Sequence, residues 1–225
     1  MLGSAGPLGL LDGARVPDRF TWVTLRQGMT DASDPTRHDF WTTRYGAGTT
    51  PWDFQGVPAA LWSFLERSPK VGRVLIPGCG SGYEVEAFSG AGFDVTAIDF
   101  SPLAVERARE RLGPLGDCVR LADFFADDSI AGPFDLIYER TFLCSMPPTR
   151  WPAYMRRMAQ LLSPGGRLVG LFFYGVEESG PPFPITGVQI GELFGDIFRR
   201  ERDEPTVDSL PLFAGRERWQ EWTRI

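Results

Sequence analysis

The 225-residue sequence is long enough for one large domain, and 43% hydrophobic with 23% charged residues is ordinary for a soluble globular protein. The formal net charge is −6 at pH 7, so the chain lacks the basic footprint of a nucleic-acid-binding protein. No apolar run approaches the roughly 18 residues of a membrane-spanning helix, and the N-terminus lacks the basic start of a signal peptide. We expect neither a nucleic-acid nor a membrane partner.

Cysteine and histidine are scarce. Cys79, Cys118 and Cys144 form no CxxC pair and are too few for a disulfide framework in a chain of this size. The single histidine, His38, leaves no Cys/His set for zinc. We expect no metal, a reducing cytoplasmic location and a monomer. We interpret His38 as a partly exposed polar residue rather than a catalytic one.

The N-terminal part divides into an arm and a cap. Residues 1–33 are rich in glycine and proline toward their start and predict a flexible arm. Residues 34–68 predict a helical cap, with a short helix that ends at Gly46 and a second helix over 58–68. The helical spacing of the second helix favours a packing role for Trp62.

From residue 72 onward, short apolar runs alternate with helical patterns. Strands are predicted at 72–78, 93–100, 118–125, 133–139 and 166–174. Helices are predicted at 84–92, 101–113, 148–166 and 187–196, and residues 198–225 predict a terminal antiparallel pair. Near-continuous apolar strands separated by helices are typical of a parallel sheet covered on both faces. We therefore expect an α/β fold, a doubly wound and mostly parallel sheet, in a single domain over 34–225.

A glycine-rich loop follows the first predicted strand, where ligands of such sheets bind. Gly78, Gly80 and Gly82 let the backbone approach a ligand closely, and the next helix offers free N–H groups. The dinucleotide fingerprint needs its third glycine at the position of Tyr83. This departure disfavours a nicotinamide-dependent oxidoreductase.

Acidic residues end the next two predicted strands. Asp99 stands where a carboxylate can accept both ribose hydroxyls of a nucleoside. Asp123 can accept an adenine amino group, and Phe124 can pack on the ring. The glycine loop alone could be a tight turn, but the three features together favour a nucleoside cofactor and disfavour a non-catalytic module.

This set resembles the class I S-adenosylmethionine-dependent methyltransferases. The segments TPWD (50–53) and PGCGSGYE (77–84) narrow the resemblance to the thiopurine S-methyltransferase family and its thiol, thiocyanate and halide methyltransferase branch, from about residue 34 onward. The resemblance implies a Rossmann-like fold with an antiparallel C-terminal strand, and S-adenosylmethionine as cofactor. The cofactor-binding residues it implies are Trp41, Tyr45, Trp52, Gly78, Gly80, Gly82, Asp99, Phe100, Asp123, Phe124 and Arg140.

Two of these positions depart from the branch. Its plant members have Trp where Tyr45 stands, although an aromatic residue is retained. Arg140 replaces a Tyr of that branch and resembles an Arg of the thiopurine branch; a plain ion pair with a carboxylate is the other interpretation. Trp41 and Trp52 suit an aromatic cage around a sulfonium. The other tryptophans are interpreted as packing: Trp22, Trp62, Trp151, Trp219 and Trp222.

The resemblance and the residues together predict the reaction. Methyl transfer from a sulfonium needs alignment above all, and a soft anion carries no tightly held proton that a base must remove. We therefore expect a small soft acceptor: a thiol, thiocyanate, halide, thiopurine or related chalcogen compound. An O- or N-methyltransferase of a small metabolite is the alternative, with Glu139 as its one evident base, although Glu139 is otherwise interpreted as a solvated neighbour.

Two further interpretations concern the surroundings of the site. Segments 34–55 and 179–185 carry aromatic residues beside glycine and proline, and predict a lid that keeps water out. Cys79 suits packing under the cofactor rather than nucleophilic catalysis, because no histidine lies nearby in sequence to activate it. Cys144 is interpreted as buried filler near the pocket.

Overall fold

A seven-stranded sheet forms the centre of the computed structural model, which describes residues 33–68, 72–177 and 179–225. The strands are β1 (Arg73–Pro77), β2 (Asp94–Asp99), β3 (Val119–Leu121), β4 (Phe134–Arg140), β5 (Leu162–Phe173), β6 (Phe198–Pro205) and β7 (Glu217–Arg224). Their order is β3-β2-β1-β4-β5-β7-β6. Residues 1–32 of the predicted arm, Trp22 among them, lie outside the described residues.

The sheet is parallel over five strands and antiparallel at one edge. Strands β1 to β5 pair in parallel, whereas β7 runs antiparallel between β5 and β6. The predicted terminal antiparallel pair and the mostly parallel sheet are confirmed. The order reverses at β1, whose neighbours are β2 and β4. A ligand cleft is therefore expected at the carboxyl ends of these strands.

Helices cover both faces of the sheet. They are α1 (His38–Gly46), α2 (Ala59–Arg67), α3 (Tyr83–Gly90), α4 (Pro102–Leu112), α5 (Trp151–Leu161) and α6 (Gly187–Phe194). Along β1, Leu75 packs into one core cluster, which includes Met155 of α5 and Ile190 of α6. Val74, like Ile76 of the same strand, packs into the other cluster, which includes Phe88 of α3. This alternation confirms the doubly wound fold.

Several predicted boundaries were too wide. The helix predicted over 148–166 spans only Trp151–Leu161, because β5 already begins at Leu162. The third strand ends at Leu121 rather than at residue 125, so Asp123 lies two residues beyond it.

The helical cap is tied to the sheet domain by side-chain contacts. The hydroxyl groups of Thr42 on α1 and Ser101 lie 2.9 Å apart, and Ser101 also caps α4 by accepting the Ala104 N–H. Helix α2 buries Leu61 and Phe64 but leaves Trp62 49% exposed, so the predicted packing role of Trp62 was wrong. Trp151, Trp219 and Trp222 are buried, as predicted. Among the described residues, no helix has the length and apolarity needed to cross a membrane.

Candidate active site

One cleft opens at the carboxyl ends of β1, β2 and β4. Its empty volume is about 1690 Å³, which includes space open to solvent. The ends of β1, β2 and β3 line one half, which we call the nucleoside half. It contains Gly78, Gly80, Asp99, Phe100, Asp123 and Phe124. The end of β4 lines the other half, the β4 half, together with Phe54, Pro181, Pro182, Leu212 and Phe213.

The glycine loop between β1 and α3 has a backbone that side chains would obstruct. Gly80 has φ +51°, and a Cβ placed there would come within 2.7 Å of the Tyr45 hydroxyl. Gly78 has φ +61°, and a Cβ placed there would meet the Phe142 ring at 2.6 Å. Gly82, at φ +71°, is the N-cap of α3. The loop therefore requires glycine for conformation and for space.

Asp99 is buried at the end of β2 with acceptor capacity to spare. Its Oδ2 accepts the Gly80 N–H at 3.0 Å, and its Oδ1 accepts the Ser101 N–H at 2.9 Å. Each carboxylate oxygen has a second lone pair, so two acceptor positions remain. Burial raises the pKa of Asp99 to about 6, against the hydrogen bonds from these amides. The residue can accept two further hydrogen bonds from a ligand such as a diol.

The residues beyond β3 form the far wall of the nucleoside half. Asp123 is exposed and accepts the Phe125 N–H at 2.8 Å. Phe124 is buried, and its ring centroid lies 5.1 Å from that of Phe142. Phe124 therefore belongs to the core as well as to the cleft, and Phe142 lies on the same wall as Gly78.

Three aromatic residues of the cap meet at the cleft. The Trp41 and Trp52 ring centroids lie 5.3 Å apart, and those of Tyr45 and Trp52 lie 6.0 Å apart, both edge to face. Tyr45 is buried, and burial raises the pKa of its phenol, which stays protonated. The structure therefore brings together the three positions that the sequence singled out.

Arg140 forms a buried ion pair at the wall of the β4 half. Its Nη1 lies 3.3 Å from Oε1 of Glu84, and the two side chains are only 10% and 9% exposed. The guanidinium lies over the Phe54 ring, 4.6 Å from its centroid. Arg140 Nε has no hydrogen-bond partner among the described residues. Arg140 does pair with a carboxylate, but the pair is buried in the cleft wall rather than on the surface. Its role in cofactor binding stays a prediction.

The structure corrects the interpretation of Glu139 as a solvated residue. It is 1% exposed, not solvated, and it is absent from the cleft lining. Its Oε1 accepts the N–H groups of Phe142 and Leu143 at 3.0 and 2.9 Å, and its Oε2 accepts the Tyr154 hydroxyl at 2.7 Å. Burial raises its pKa to about 7. Glu139 thus holds the turn after β4 from beneath and does not face the cleft as a base.

The cysteines and the histidine lie as predicted. Cys79 and Cys144 are buried beside the cleft, and burial raises the pKa of both thiols well above the usual range. They therefore remain protonated and unreactive. His38 is exposed, lies 3.0 Å from the carboxylate of Asp39, and is not part of the cleft lining.

Sequence reasoning missed two residues that hold the glycine loop. Arg111 of α4 donates to the carbonyls of Ser81 and Gly82, at 2.8 Å each. Asp53 accepts the Ser81 hydroxyl at 2.6 Å and so joins the cap to the loop. Asp53 stands in the TPWD segment, which was a usable signal. Arg111 is one of several charged residues on its helix, so the sequence contained no signal for its role.

Comparison with known proteins agrees with this geometry. Probable thiol methyltransferase 2 of Arabidopsis thaliana is 37% identical over an alignment of 153 residues, which covers 65% of this chain and 67% of that protein. Thiocyanate methyltransferase 1 of the same plant is 30% identical, over 82% of this chain and 84% of that protein. A solved structure of 1,6-didemethyltoxoflavin-N1-methyltransferase from Burkholderia thailandensis contains bound S-adenosylhomocysteine. Its TM-score is 0.63 at 19% identity, over 95% of this chain and 92% of that one, which shows the fold.

The fold is that of the Rossmann-like methyltransferases. Residues 36–224 match the family model described as thiopurine S-methyltransferase (TPMT), and the chain belongs to that family. The family and cofactor predicted from the sequence are thereby confirmed.

Proposed function

We propose that the protein transfers a methyl group from S-adenosylmethionine to a small soft nucleophile: a thiol, thiocyanate, halide, thiopurine or related chalcogen compound. The names of its relatives, thiol and thiocyanate methyltransferases in Arabidopsis thaliana, support this acceptor class. The residues of the cleft support it independently, because they determine whether a general base is available to remove a proton from the acceptor.

The nucleoside half fits the cofactor. Asp99 would accept the two ribose hydroxyls at its two spare positions, and the bare backbone at Gly78 and Gly80 leaves room for the methionine part. Asp123 and Phe124 would flank the adenine. When bound, S-adenosylmethionine supplies a methyl group attached to a positively charged sulfur.

The observation that carries the proposal concerns the carboxylates near the β4 half. Among the residues that the structure describes, each of them already has a hydrogen-bond or ion-pair partner. Glu84 pairs with Arg140, and Glu139 is engaged beneath the wall. Asp53 accepts the Ser81 hydroxyl, and Glu217 accepts the Ser209 hydroxyl. Burial keeps the nearby phenols of Tyr45 and Tyr138 protonated. A wall whose carboxylates already have partners and whose phenols stay protonated suits an acceptor that arrives without a proton to remove.

The acceptor class can be tested with matched acceptors. Purified protein and S-adenosylmethionine are incubated with thiophenol, phenol or aniline, and methylated product is measured by mass spectrometry. Iodide, hydrosulfide, thiocyanate and a thiopurine complete the panel. We expect thiophenol to react at least about 100-fold faster than phenol or aniline, since general base assistance is worth about 10²–10⁴ in rate. Preferential methylation of phenol or aniline would favour the O- or N-methyltransferase instead.

A lid over the cleft is part of the proposal. Pro35, Trp41 and Trp52 of the cap line the cleft, as do Pro181 and Pro182 of the facing loop. Closing these aromatic and proline side chains over the site would exclude water, which otherwise solvates a soft anion. Limited proteolysis tests this: S-adenosylmethionine should protect segment 34–55 from cleavage, and cleavage at an unchanged rate would contradict the lid.

We also infer a monomer in a reducing, cytoplasmic compartment. The three cysteines Cys79, Cys118 and Cys144 are free, which suits a compartment that keeps thiols reduced. Light scattering after size-exclusion chromatography should give a mass near 25.0 kDa. A mass of twice that value would contradict the monomer.

A further inference from the structure

Thr141 is held in a backbone conformation that its side chain resists. It has φ +55°, and a β-branched residue at positive φ is a true outlier that costs about 1–3 kcal/mol. Thr141 lines the cleft, and its hydroxyl makes no hydrogen bond within the described residues. Strain of this kind persists only where the surroundings enforce it, and it concentrates at functional sites.

The surroundings do enforce it. The Glu139 carboxylate accepts the amides of Phe142 and Leu143, the first and second residues after Thr141. Tyr154, fully buried on α5, fixes the other carboxylate oxygen at 2.7 Å. Trp151 donates its indole N–H to the Leu143 carbonyl at 3.2 Å. The turn is therefore fixed on both sides of the strained residue, and Glu139 acts as its positioning residue.

The neighbours of Thr141 face the two halves of the cleft. Arg140 contacts Phe54 and Glu84 on the β4 side. Phe142 contacts Phe124 and stands over Gly78, on the nucleoside side. Thr141 therefore lies at the boundary between the halves, which is where a methyl group must pass from donor to acceptor.

We propose that the Thr141 hydroxyl donates a hydrogen bond to the anionic methyl acceptor and so positions it for transfer. This inference rests on the proposed function. A soft anion that leaves water for an apolar wall needs a donor, and a hydroxyl can supply one without carrying a charge that would neutralise the nucleophile. The strained turn fixes the backbone that carries this hydroxyl, which makes Thr141 a specificity-determining residue for the acceptor.

The test compares Thr141→Val with Thr141→Ser. Valine keeps the β-branched shape and loses the hydroxyl, whereas serine keeps the hydroxyl. We expect Thr141→Val to lower kcat/KM for thiophenol and thiocyanate at least about tenfold, and Thr141→Ser to remain within about threefold of wild type. The affinity for S-adenosylhomocysteine, measured by calorimetry, should stay within about twofold in both. Thr149→Val, on an exposed turn outside the cleft lining, is the matched control.

Two results would overturn the inference while leaving the proposed function intact. In one, Thr141→Val matches wild type on both acceptors. In the other, Thr141→Val weakens the binding of S-adenosylhomocysteine instead, which would mean that the hydroxyl contacts the cofactor. Titration of thiocyanate into the S-adenosylhomocysteine complex needs no turnover and should show binding to wild type that Thr141→Val weakens. A wild-type protein that methylates no soft acceptor would overturn the proposed function itself, and the inference with it.

Discussion

The two halves of the cleft are built in different ways. The nucleoside half consists of backbone and side chains at or just beyond the ends of β1, β2 and β3. Gly78, Gly80 and Asp99 therefore lie close to the sheet. The β4 half gathers side chains from distant segments, such as Phe54, Arg140 and Phe213. The first half is fixed by the topology of the sheet, whereas the second depends on how the loops pack. This difference is consistent with a constant cofactor and a variable acceptor.

The largest effect is expected at Gly80. Gly80→Ala should weaken S-adenosylhomocysteine binding by about 3 kcal/mol, because left-handed strain alone costs about 1–3 kcal/mol and the added Cβ also meets the Tyr45 hydroxyl. Calorimetry measures the loss. Gly90→Ala is the control, since a Cβ there meets nothing within 4 Å. Equal affinities in the two variants would contradict a backbone-built nucleoside half.

Asp99 should come next. Asp99→Asn is expected to weaken cofactor binding by about 2 kcal/mol. The neutral side-chain amide cannot make charge-assisted hydrogen bonds, and its NH₂ group would face a backbone N–H that the carboxylate accepts in the wild type. Asp94→Asn, at the exposed start of the same strand, should bind the cofactor like wild type. Unchanged affinity in Asp99→Asn would remove Asp99 from the site.

The pKa of Asp99 makes cofactor binding depend on pH. Ribose hydroxyls donate to the carboxylate form, so binding favours the ionised group and lowers its pKa below the value of about 6 in the free protein. Affinity should therefore be full above pH 6 and fall about tenfold per pH unit below it, until the pKa of the bound state is reached. Fluorescence titrations between pH 4.5 and 8 check the slope. Asp99→Asn should lose this dependence.

Arg111 should have a smaller effect, because it acts through the loop. Arg111→Met removes the donors to the Ser81 and Gly82 carbonyls and should cost about 1 kcal/mol of cofactor affinity. Arg107→Met, on the exposed side of the same helix, is the matched control. A loss in Arg107→Met as large as in Arg111→Met would indicate a general charge effect instead.

The smallest effect is expected at Glu139. Glutamine can accept the Phe142 and Leu143 amides and meet the Tyr154 hydroxyl with its amide group, so Glu139→Gln should keep kcat for thiophenol within about threefold. A general base would lose about 100-fold or more. Steady-state kinetics decide between these outcomes. A loss of kcat of about 100-fold would favour the alternative function, an O- or N-methyltransferase.

The same contrast explains which parts of the site could be predicted from the sequence. Asp99 ends an apolar strand and Gly80 lies in the loop after another, so the strand pattern located both without knowledge of packing. The role of Glu139 depends on Tyr154, which lies 15 residues further along the chain on α5. Arg111 reaches a loop 30 residues before it. Neither of these hydrogen-bond contacts can be predicted from the local periodicity of the sequence.

The fold shows a similar division. The mostly parallel sheet could be predicted from apolar strands separated by helices, and the terminal antiparallel pair was predicted over 198–225. The packing role predicted for Trp62 was wrong. Helix α2 buries Leu61 and Phe64 and turns the intervening Trp62 outward. Periodicity predicts that a helix has a buried face, but in a helix of nine residues it locates that face only roughly.

The central claim is that the acceptor arrives deprotonated and meets no base. The most direct test is the pH dependence of kcat/KM, at saturating S-adenosylmethionine, for a series of thiophenols with graded acidity. We predict that the acidic limb of each profile breaks at the pKa of the thiol used and moves with it along the series. A break that stays at one pH for every thiol would reveal a titrating base in the protein and contradict the account.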